Sequence, residues 1–426
     1  MRSRDDSPEA AACHGLPPSG SPPVAVPSSP STTESIPSSA RAAVLLEPGK
    51  PLACRTLEVS PPATGELLVR VAACSVCGSD LHTAHGRRPH PVPTILGHEI
   101  VGRIAAIGPG DPPQCVDGRP LAVGDRITWA VCASCGVCDR CRRGMPQKCR
   151  RLVKYGHAAL ESPHGLSGGL AEFVRVFPGT AIVRVPDTLS DIAAAPASCC
   201  VATAAAILRT ARQQRAAFAP QGPPLAEASV AVLGGGMLGL SAISLLRAAG
   251  CRRLLLIDPQ PDRRRLAEMT WPGLATTAPP AVQPAAADEA DESLVPLLAA
   301  AGATPASNGE TFPADGFDLV VEASGAAPAA GLALGLVATG GCCVLAGSVS
   351  PGPPVACDPE RIIRRQIAIH GVHNYLPQDL VAAVSHLAED AGRALSDLVG
   401  PVFPLEQVND ALDRAAGNAL RVVVTP

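Results

Sequence analysis

The chain is organised around two stretches of sequence, CSVCGSDLH at residues 74–82 and GHE at residues 97–99. Cysteine and histidine are the usual protein ligands of zinc. The first stretch also contains Ser79, whose hydroxyl can pass a proton, and Asp80, whose carboxylate can orient a histidine bound to a metal. A single buried cysteine usually acts only as a small apolar side chain. The complete set, in this order, predicts a metal centre with proton-transfer groups beside it.

The pattern Cys-Gly-Ser-Asp-x-His followed by Gly-His-Glu resembles the zinc-dependent medium-chain alcohol dehydrogenases, and the resemblance extends over about residues 41–426. It implies that Cys77 and His98 bind a catalytic zinc ion with an open coordination position. It also implies that Glu99 approaches the metal when the substrate leaves. The expected reaction is reversible hydride transfer between NAD and an alcohol.

The same resemblance assigns roles to three polar side chains. Ser79 is expected to take the hydroxyl proton of the alcohol and to relay it, through the cofactor ribose, to His82 at the surface. Asp80 is expected to orient His98 or its neighbourhood.

The third zinc ligand in the resembled family is a Cys or Glu, followed four residues later by a Thr that touches nicotinamide. Cys199 and Thr203 have this spacing, so Cys199 is the predicted ligand and the adjacent Cys200 is the alternative. If neither thiol bound the metal, only two ligands would remain, which is too few for tight binding.

A second cysteine cluster lies in a short lobe at residues 132–150. Cys135, Cys138, Cys141 and Cys149 have the spacing C-x₂-C-x₂-C-x₇-C, which favours a closed tetrahedral zinc site. An iron–sulfur cluster uses similar spacing and is the alternative. Cys132 lies just upstream and is left out of the ligand set. The resemblance implies a structural zinc ion near a subunit interface, in a homodimer or homotetramer.

The second half of the chain contains a dinucleotide-binding pattern. The apolar run at residues 230–233 precedes GGGMLG, in which Gly234, Gly236 and Gly239 form G-x-G-x-x-G, and an apolar helix is predicted at 240–249. Asp258 follows a further apolar run and is expected to bind the ribose hydroxyls. Its charge favours NAD over NADP. Arg263 is expected to flank the ribose, and the adjacent Arg264 and Arg265 keep NADP open.

These patterns predict an α/β fold with a β-rich, barrel-like (GroES-like) catalytic domain and a doubly wound parallel-sheet Rossmann domain. We expect a disordered Pro/Ser-rich tail at 1–40, the zinc domain at 41–198, the NAD-binding domain at 199–375 and a long surface loop within 271–315. The resemblance implies that 376–426 returns to the zinc domain. There Arg421 matches a position that reaches the cofactor pyrophosphate; an exposed Arg on a terminal strand is the alternative.

Composition excludes several classes of partner. A net charge of −3 without a basic run predicts no nucleic-acid partner. The sequence has no long unbroken apolar stretch, so we predict no membrane span. The N-terminal arginines are not followed by the apolar segment of a secretory signal. The 16 cysteines cluster at two-residue gaps, which indicates metal binding in a reducing cytoplasm rather than disulfides.

The substrate is expected to be a small alcohol or carbonyl compound. Arg87 and Arg88, flanked by His85 and His90, form a basic loop that can hold an anionic substrate or be a solvated turn. GRRP at 86–89, KYGH at 154–157 and GVHNY at 371–375 resemble the phosphonate-catabolism-associated alcohol dehydrogenases, which implies a phosphonate aldehyde or alcohol. Alternatives are a polyol or threonine dehydrogenase, or a non-catalytic NAD- and zinc-binding redox sensor.

Overall fold

The structure is a computed structural model, and it describes residues 36–218, 221–222, 224–279 and 316–426. Most of the predicted tail at 1–40 and most of the predicted loop at 271–315 lie outside the described residues. Two boundaries differ from expectation. The first strand already begins at Ser39, and a strand at Ala275–Thr277 occupies the start of the predicted loop. That strand forms because it pairs with its neighbour in the parallel sheet, a long-range contact that its short sequence does not signal.

Strands of the first half and of the C-terminus form two sheets. They are β1 (Ser39–Leu45), β2 (Ala53–Glu58), β3 (Leu67–Ser75), β4 (Thr94–Ile95), β5 (Glu99–Ile107), β6 (Arg126–Ala133), β7 (Val153–Lys154), β8 (Phe173–Val176), β9 (Thr180–Arg184), β16 (Val402–Pro404) and β17 (Val423–Thr425). The larger sheet has the order β16-β17-β3-β5-β6-β7, with β8 paired to β3 and β9 to β6. The smaller sheet has the order β2-β1-β4. The pairing of β17 with β3 brings the C-terminal residues beside the first metal stretch.

The remaining strands form one parallel sheet. They are β10 (Val230–Leu233), β11 (Leu254–Ile257), β12 (Ala275–Thr277), β13 (Phe317–Glu322), β14 (Val337–Leu345) and β15 (Ala368–Gly371). Their order is β12-β11-β10-β13-β14-β15, and every neighbouring pair is parallel. This is the strand order of a dinucleotide-binding Rossmann sheet, which places the ligand crevice at the carboxyl ends beside β10.

Helices connect and cover these sheets. They are α1 (Gly78–Ala84), α2 (Asp139–Arg142), α3 (Asp191–Ala194), α4 (Cys200–Phe218), α5 (Met237–Ala248), α6 (Pro261–Thr270), α7 (Ala327–Gly335), α8 (Pro359–Arg365), α9 (Pro377–Ala388), α10 (Asp390–Ser396) and α11 (Val408–Ala416). Short 3₁₀ turns lie at Pro146–Lys148, Ala195–Ser198 and Leu405–Gln407. Among the described residues no single helix is long and apolar enough to cross a membrane, although the bent pair Asp191–Ser198 and Cys200–Ala217 together has the length and composition of a span.

One apolar core runs from the larger mixed sheet into the parallel sheet. It includes Val101 of β5, Val201 of α4, and Val230 and Leu256 of the parallel sheet, all fully or almost fully buried. Each buried Val or Leu side chain contributes about 1.5–3 kcal/mol of hydrophobic stabilisation. Helix α4 begins directly after Cys199 and packs on this core, so the predicted ligand Cys199 lies at the edge of the core that joins the larger mixed sheet to the parallel sheet.

Candidate active site

Helix α1 holds the first predicted metal ligand at its N-terminus. Cys77 is the residue before the helix, and the side chain of Asp80 caps it by accepting the backbone N–H of Cys77 at 2.9 Å. This contact satisfies one of the N–H groups that a helix start leaves without a partner. It also fixes the direction in which the Cys77 sulfur leaves the helix.

The other oxygen of Asp80 positions the second ligand. It accepts the Nδ1 hydrogen of His98 at 3.2 Å and the N–H of Gly97 at 3.3 Å. Gly97 has φ of +93°, and a Cβ there would meet the Cys74 sulfur at 2.6 Å, so only glycine fits. Burial lowers the pKa of His98, but the charge and hydrogen bond of Asp80 raise it to about 10 overall. The contact with Asp80 therefore fixes the orientation of the His98 ring.

Four ligand atoms converge on one point. The donor atoms of Cys77, His98, Glu99 and Cys199 all lie within 4.8 Å of one another. Cys199 lies at the break between the 3₁₀ turn Ala195–Ser198 and α4, with φ of −134° and ψ of −83°. Both adjacent cysteines line the cavity described below, but the Cys200 sulfur donates to the carbonyl of Pro196 at 3.4 Å and lies outside the group of ligand atoms. The structure thus places Cys199, and not Cys200, in the ligand group.

The Glu99 carboxylate fits a site built for a cation. It is fully buried; one oxygen accepts the Ser75 hydroxyl and lies 3.5 Å from Nε of Arg421, and the other has no hydrogen-bond partner among the described residues. Burial raises the pKa of Glu99 to about 7, although the charge of Arg421 acts to lower it. A bound divalent cation would compensate this buried negative charge. The mixture of two thiols, an imidazole and a carboxylate suits zinc.

Arg421 is more buried than an exposed residue on a terminal strand would be. It is 6% exposed, and Nη1 donates to the carbonyl of Val76 at 3.0 Å. Its side chain also lines the cavity described below. Burial acts to lower the pKa of Arg421, but the charge of Glu99 and the nearby cysteines raises it well above its usual value. The structure therefore places Arg421 beside the metal ligands.

Ser79 and His82 lie on the same side of α1 and both face the cavity. The Ser79 hydroxyl is 3.5 Å from Nε2 of His98. Burial, followed by the charge of Arg87, lowers the pKa of His82. This direction favours the neutral form of the His82 ring.

A cavity of about 970 Å³ joins the metal group to the parallel sheet. It is lined by Thr203, one helical turn after Cys199, and on the parallel-sheet side by Gly234, Gly236, Asp258 and Arg263; all five are predicted to contact the cofactor. The residues that line the metal end of the cavity differ in chemistry from those that line the glycine-loop end. The cavity can therefore bind two different ligands.

The glycine loop follows β10 as predicted. Gly234 has φ of +104°, and a Cβ on Gly239 would lie 1.9 Å from the carbonyl of Gly234, so strand and helix meet too closely for a side chain. Asp258 is 3% exposed, and its two oxygens accept the N–H groups of Gly235 at 2.6 Å and Gln260 at 2.8 Å. An ionised carboxylate accepts about four hydrogen bonds, so capacity remains for ribose hydroxyls.

The predicted lobe brings its four thiols together. The sulfurs of Cys138 and Cys141 are 3.5 Å apart, and Cys149 lies 3.9 Å from Cys138 and 3.4 Å from Cys135. Thiolates at about 2.3 Å from a tetrahedral zinc are separated by about 3.8 Å, so the cluster fits zinc. Cys132 lies in β6 outside this group. All cysteines that the structure describes are free thiols.

The predicted basic loop divides into an outer and an inner arginine. Arg87 is exposed and does not line the cavity, whereas Arg88 is partly buried and does. His85 is also exposed, and its Nδ1 lies 2.7 Å from the carbonyl of Leu81. His90 is partly buried, and its ring meets His157 edge-on at 5.0 Å between centroids.

Lys154 and His373 are among the cavity residues for which the sequence predicted no role. Lys154 lines the cavity beside Arg88, and burial, followed by the charge of Arg88, lowers the pKa of its ammonium group. His373 also lines it and lies 2.5 Å from Nζ of Lys148 in the cysteine lobe. Both belong to motifs quoted from the sequence, KYGH and GVHNY, but nothing in either motif says which side chain faces inward.

Comparison with known families agrees with this architecture. The family described as "Alcohol dehydrogenase GroES-like domain" matches residues 63–187, and the family described as "Zinc-binding dehydrogenase" matches residues 238–389. The two matches cover the metal-binding half and the cofactor half respectively.

Curated relatives match along most of the chain. A 5-exo-hydroxycamphor dehydrogenase of Pseudomonas putida is 30% identical over 389 residues, which are 89% of this chain and 97% of the relative. A geraniol dehydrogenase of Castellaniella defragrans is 28% identical over 91% of this chain and 97% of its own. An L-threonine 3-dehydrogenase of Pectobacterium atrosepticum is 26% identical over 82% and 83%.

Solved structures share the fold. An alcohol dehydrogenase from Thermotoga maritima has a TM-score of 0.75 and 26% identity, covering 91% of this chain and 99% of that one. A putative zinc-binding dehydrogenase from Sinorhizobium meliloti, bound to NADP, has a TM-score of 0.68 and 28% identity, covering 92% and 100%. With its two cysteine clusters, its glycine loop and these matches, the chain belongs to the zinc-dependent medium-chain alcohol dehydrogenase superfamily and is a zinc-binding, NAD(P)-dependent dehydrogenase.

Proposed function

We propose that this enzyme interconverts an alcohol and its aldehyde or ketone, that Cys77, His98 and Cys199 hold the catalytic zinc, and that the substrate carries an anionic group. The ligand assignment rests on one observation: the donor atoms of these three residues and of Glu99 lie within 4.8 Å of one another, at one end of the cavity. The other end of the cavity is lined by the dinucleotide loop. When bound, the zinc supplies Lewis acidity that lowers the pKa of an alcohol. The nicotinamide cofactor supplies the hydride acceptor.

The protein's own side chains prepare the site for this chemistry. Asp80 holds His98 in the tautomer that leaves Nε2 as a ligand. Ser79 lies next to that nitrogen and faces the cavity, where its hydroxyl takes the proton of the alcohol. His82, on the next turn of the same helix side, also lines the cavity and would be the side chain that receives this proton.

Glu99 and Arg421 complete the metal end. The unpartnered oxygen of Glu99 is available to the metal position when a substrate leaves. Arg421 lies against the other oxygen and also lines the cavity, so a contact with the cofactor pyrophosphate is part of the proposal.

We assign NAD as the preferred cofactor. Asp258 is the sole carboxylate among the cavity-lining residues that the structure describes, and it faces the place of the adenosine ribose. Its negative charge would repel a 2′-phosphate. Of the three arginines that follow, Arg263 alone lines the cavity; Arg264 bonds the carbonyl of Asp258, and Arg265 is exposed.

The anionic substrate is inferred from the charge at the metal end of the cavity. Arg88 and Lys154 both line it, and within the described residues neither side chain has an ion pair or hydrogen bond. Two cations that repel each other in a partly buried position are stabilised by a carboxylate or phosphonate on the substrate. A phosphonate aldehyde or alcohol satisfies this requirement.

The test is NADH consumption by the zinc-loaded protein with phosphonoacetaldehyde, acetaldehyde and a neutral ketone. We expect a strong preference for the phosphonate. Arg88→Ala is expected to lower kcat/KM for the phosphonate by about 10–100-fold, the scale of one charge-assisted hydrogen bond, and to leave acetaldehyde unchanged. Arg87→Ala is the matched control, because it removes the same charge from the exposed neighbouring position. Equal rates on phosphonate and neutral carbonyls would exclude the anionic substrate while leaving the zinc chemistry in place.

A polyol or threonine-type activity is the second candidate, because an L-threonine 3-dehydrogenase is among the relatives. L-Threonine and a polyol in the reverse assay test it directly. A non-catalytic sensor would show one zinc ion per chain and no turnover on any of these compounds, whereas about two zinc ions per chain would favour the enzyme.

A further inference from the structure

A buried tyrosine hydroxyl connects the proposed third zinc ligand to both halves of the molecule. Tyr375 lies between β15 and α9 and is 5% exposed. Its hydroxyl donates to the carbonyl oxygen of Ser198 and accepts the N–H of Val131 at 3.1 Å. Three backbone segments, which are far apart in sequence, therefore meet at one oxygen atom.

Ser198 is the residue directly before Cys199, and both its hydroxyl and its backbone carbonyl form hydrogen bonds. Its own hydroxyl donates to the carbonyl of His98 at 3.4 Å, while its carbonyl accepts the Tyr375 hydroxyl. Cys199 follows in a conformation that is neither helical nor extended, since the 3₁₀ turn ends there and α4 begins. The direction of the Cys199 sulfur therefore depends on how the Ser198–Cys199 peptide is oriented.

Val131 belongs to β6 and lines the cavity. The carbonyl of Val131 accepts the N–H of Tyr155, and the N–H of Val131 donates to the Tyr375 hydroxyl. Removing that hydroxyl leaves a buried N–H and a buried carbonyl without partners, which is unfavourable. Burial, followed by the charge of Cys199, raises the pKa of Tyr375 well above its usual value, so the phenol remains a donor.

We propose that Tyr375 is a positioning residue for the catalytic zinc: its hydroxyl holds the Ser198–Cys199 peptide so that the Cys199 sulfur faces Cys77 and His98. The inference rests on the proposed function, because it requires Cys199 to be a ligand. Tyr375 acts through the peptide, in the way that groups outside the ligand set orient the ligands of other metal sites.

The chain offers a matched control, because it contains only two tyrosines. Tyr155 is also fully buried, and its hydroxyl also makes two contacts, with the Thr180 hydroxyl at 2.7 Å and the N–H of Phe177 at 2.9 Å. None of these partners is next to a proposed metal ligand. Tyr375→Phe and Tyr155→Phe thus remove the same group from equally buried positions.

The experiment is release of zinc from the holoenzyme to a chromogenic chelator, which separates the catalytic ion from the lobe ion by rate. In Tyr375→Phe the catalytic ion should leave about 10–100-fold faster, the usual effect of removing a group that orients a ligand, while the lobe ion leaves at the wild-type rate. In Tyr155→Phe both rates should equal those of the wild type. Wild-type release of both ions from Tyr375→Phe, or equal acceleration in the two variants, would overturn the proposal.

Cys199→Ala separates this inference from the proposed function. If that variant keeps two zinc ions per chain, the ligand assignment itself fails. If it loses one ion and Tyr375→Phe behaves as the wild type, the positioning role alone fails.

A second measurement covers the case in which Tyr375→Phe does not fold. The Tyr155→Phe protein grown with 3-fluorotyrosine carries its single fluorine label at residue 375. Removal of the catalytic zinc with the chelator should shift this fluorine resonance, because the Ser198–Cys199 peptide is released. A resonance that does not move would contradict the proposal.

Discussion

Both predicted metal-binding groups contain cysteine, but they differ in the spacing of their ligands along the chain and in the types of ligand. The lobe takes all four ligands from residues 135–149, and all are thiols. The catalytic cluster takes its ligands from residues 77, 98, 99 and 199 and mixes thiols with an imidazole and a carboxylate. The lobe is surrounded by exposed polar residues, whereas His98 and Glu99 are buried.

This difference separates what each metal does. The lobe has little apolar surface of its own, so a zinc ion bound by its four thiols would supply free energy that orders it. The catalytic cluster is held by contacts that exist without the metal, such as Asp80 on His98 and Arg421 beside Glu99. We therefore expect the first ion to govern stability and the second to govern chemistry.

Loss of a lobe ligand should have the largest energetic effect. Structural zinc binding is worth about 10 kcal/mol or more, so Cys141→Ala should leave one zinc ion per chain and lower Tm by about 10 °C or more. Cys132→Ala, in the neighbouring strand outside the ligand group, should keep two ions and change Tm little. Metal analysis and calorimetry measure both; a Cys141→Ala protein with unchanged Tm would remove the distinction between the clusters.

Cys77→Ala should have the next largest effect, on rate rather than on stability. Losing the catalytic ion removes several kcal/mol of stabilisation from the reaction, so kcat/KM should fall by about 10³-fold or more. The protein should retain the lobe ion and most of its Tm. The control is Cys74→Ala, a buried thiol on β3 outside the ligand group. Turnover near that of the wild type in Cys77→Ala would show that the ligand assignment is wrong.

Ser79→Ala should reduce the rate without changing the metal content. Proton transfer by a positioned side chain contributes about 10²–10⁴-fold, so kcat should fall by about 10²-fold or more while two zinc ions remain. Steady-state kinetics with metal analysis on the same sample checks this. An unchanged kcat would exclude Ser79 from the proton route.

Asp80→Asn should have the smallest effect that still distinguishes the clusters. Weaker orientation of His98 should cost about 10–100-fold in affinity for the catalytic ion and nothing for the lobe ion. Asp139→Asn is the matched control in the lobe, where Asp139 pairs with Arg150 at the surface. Competition with a chelator gives both affinities. Equal losses in the two variants would mean that the carboxylates act only through general charge.

Local patterns were sufficient wherever the interacting residues are close in sequence. The strand at 230–233, the glycine loop and Asp258 follow one another along the chain, and the structure has them in that arrangement. The lobe spacing likewise brings its sulfurs to separations that fit zinc. The strand β12 was missed, because it forms by pairing with a strand about twenty residues earlier in the chain and its own residues were predicted to begin a loop.

Choices between neighbouring residues of the same type required the tertiary structure. Cys199 and Cys200 are identical in type and adjacent, and the end of the 3₁₀ turn decides which sulfur faces His98. Arg87 and Arg88 are equally basic, and the turn after α1 decides which one lines the cavity. Tyr375 gave no signal, because its role comes from two backbone groups that are remote in sequence.

The amino-acid sequence by itself determined the superfamily, the two metal clusters and the dinucleotide loop, because each is written in residue types at fixed local spacing. The tertiary structure alone decided which thiol lies with His98, which arginine and lysine line the cavity, and which hydroxyl contacts the peptide before Cys199. The physical reason is that side-chain direction depends on helix ends, strand pairing and packing between segments that are far apart along the chain.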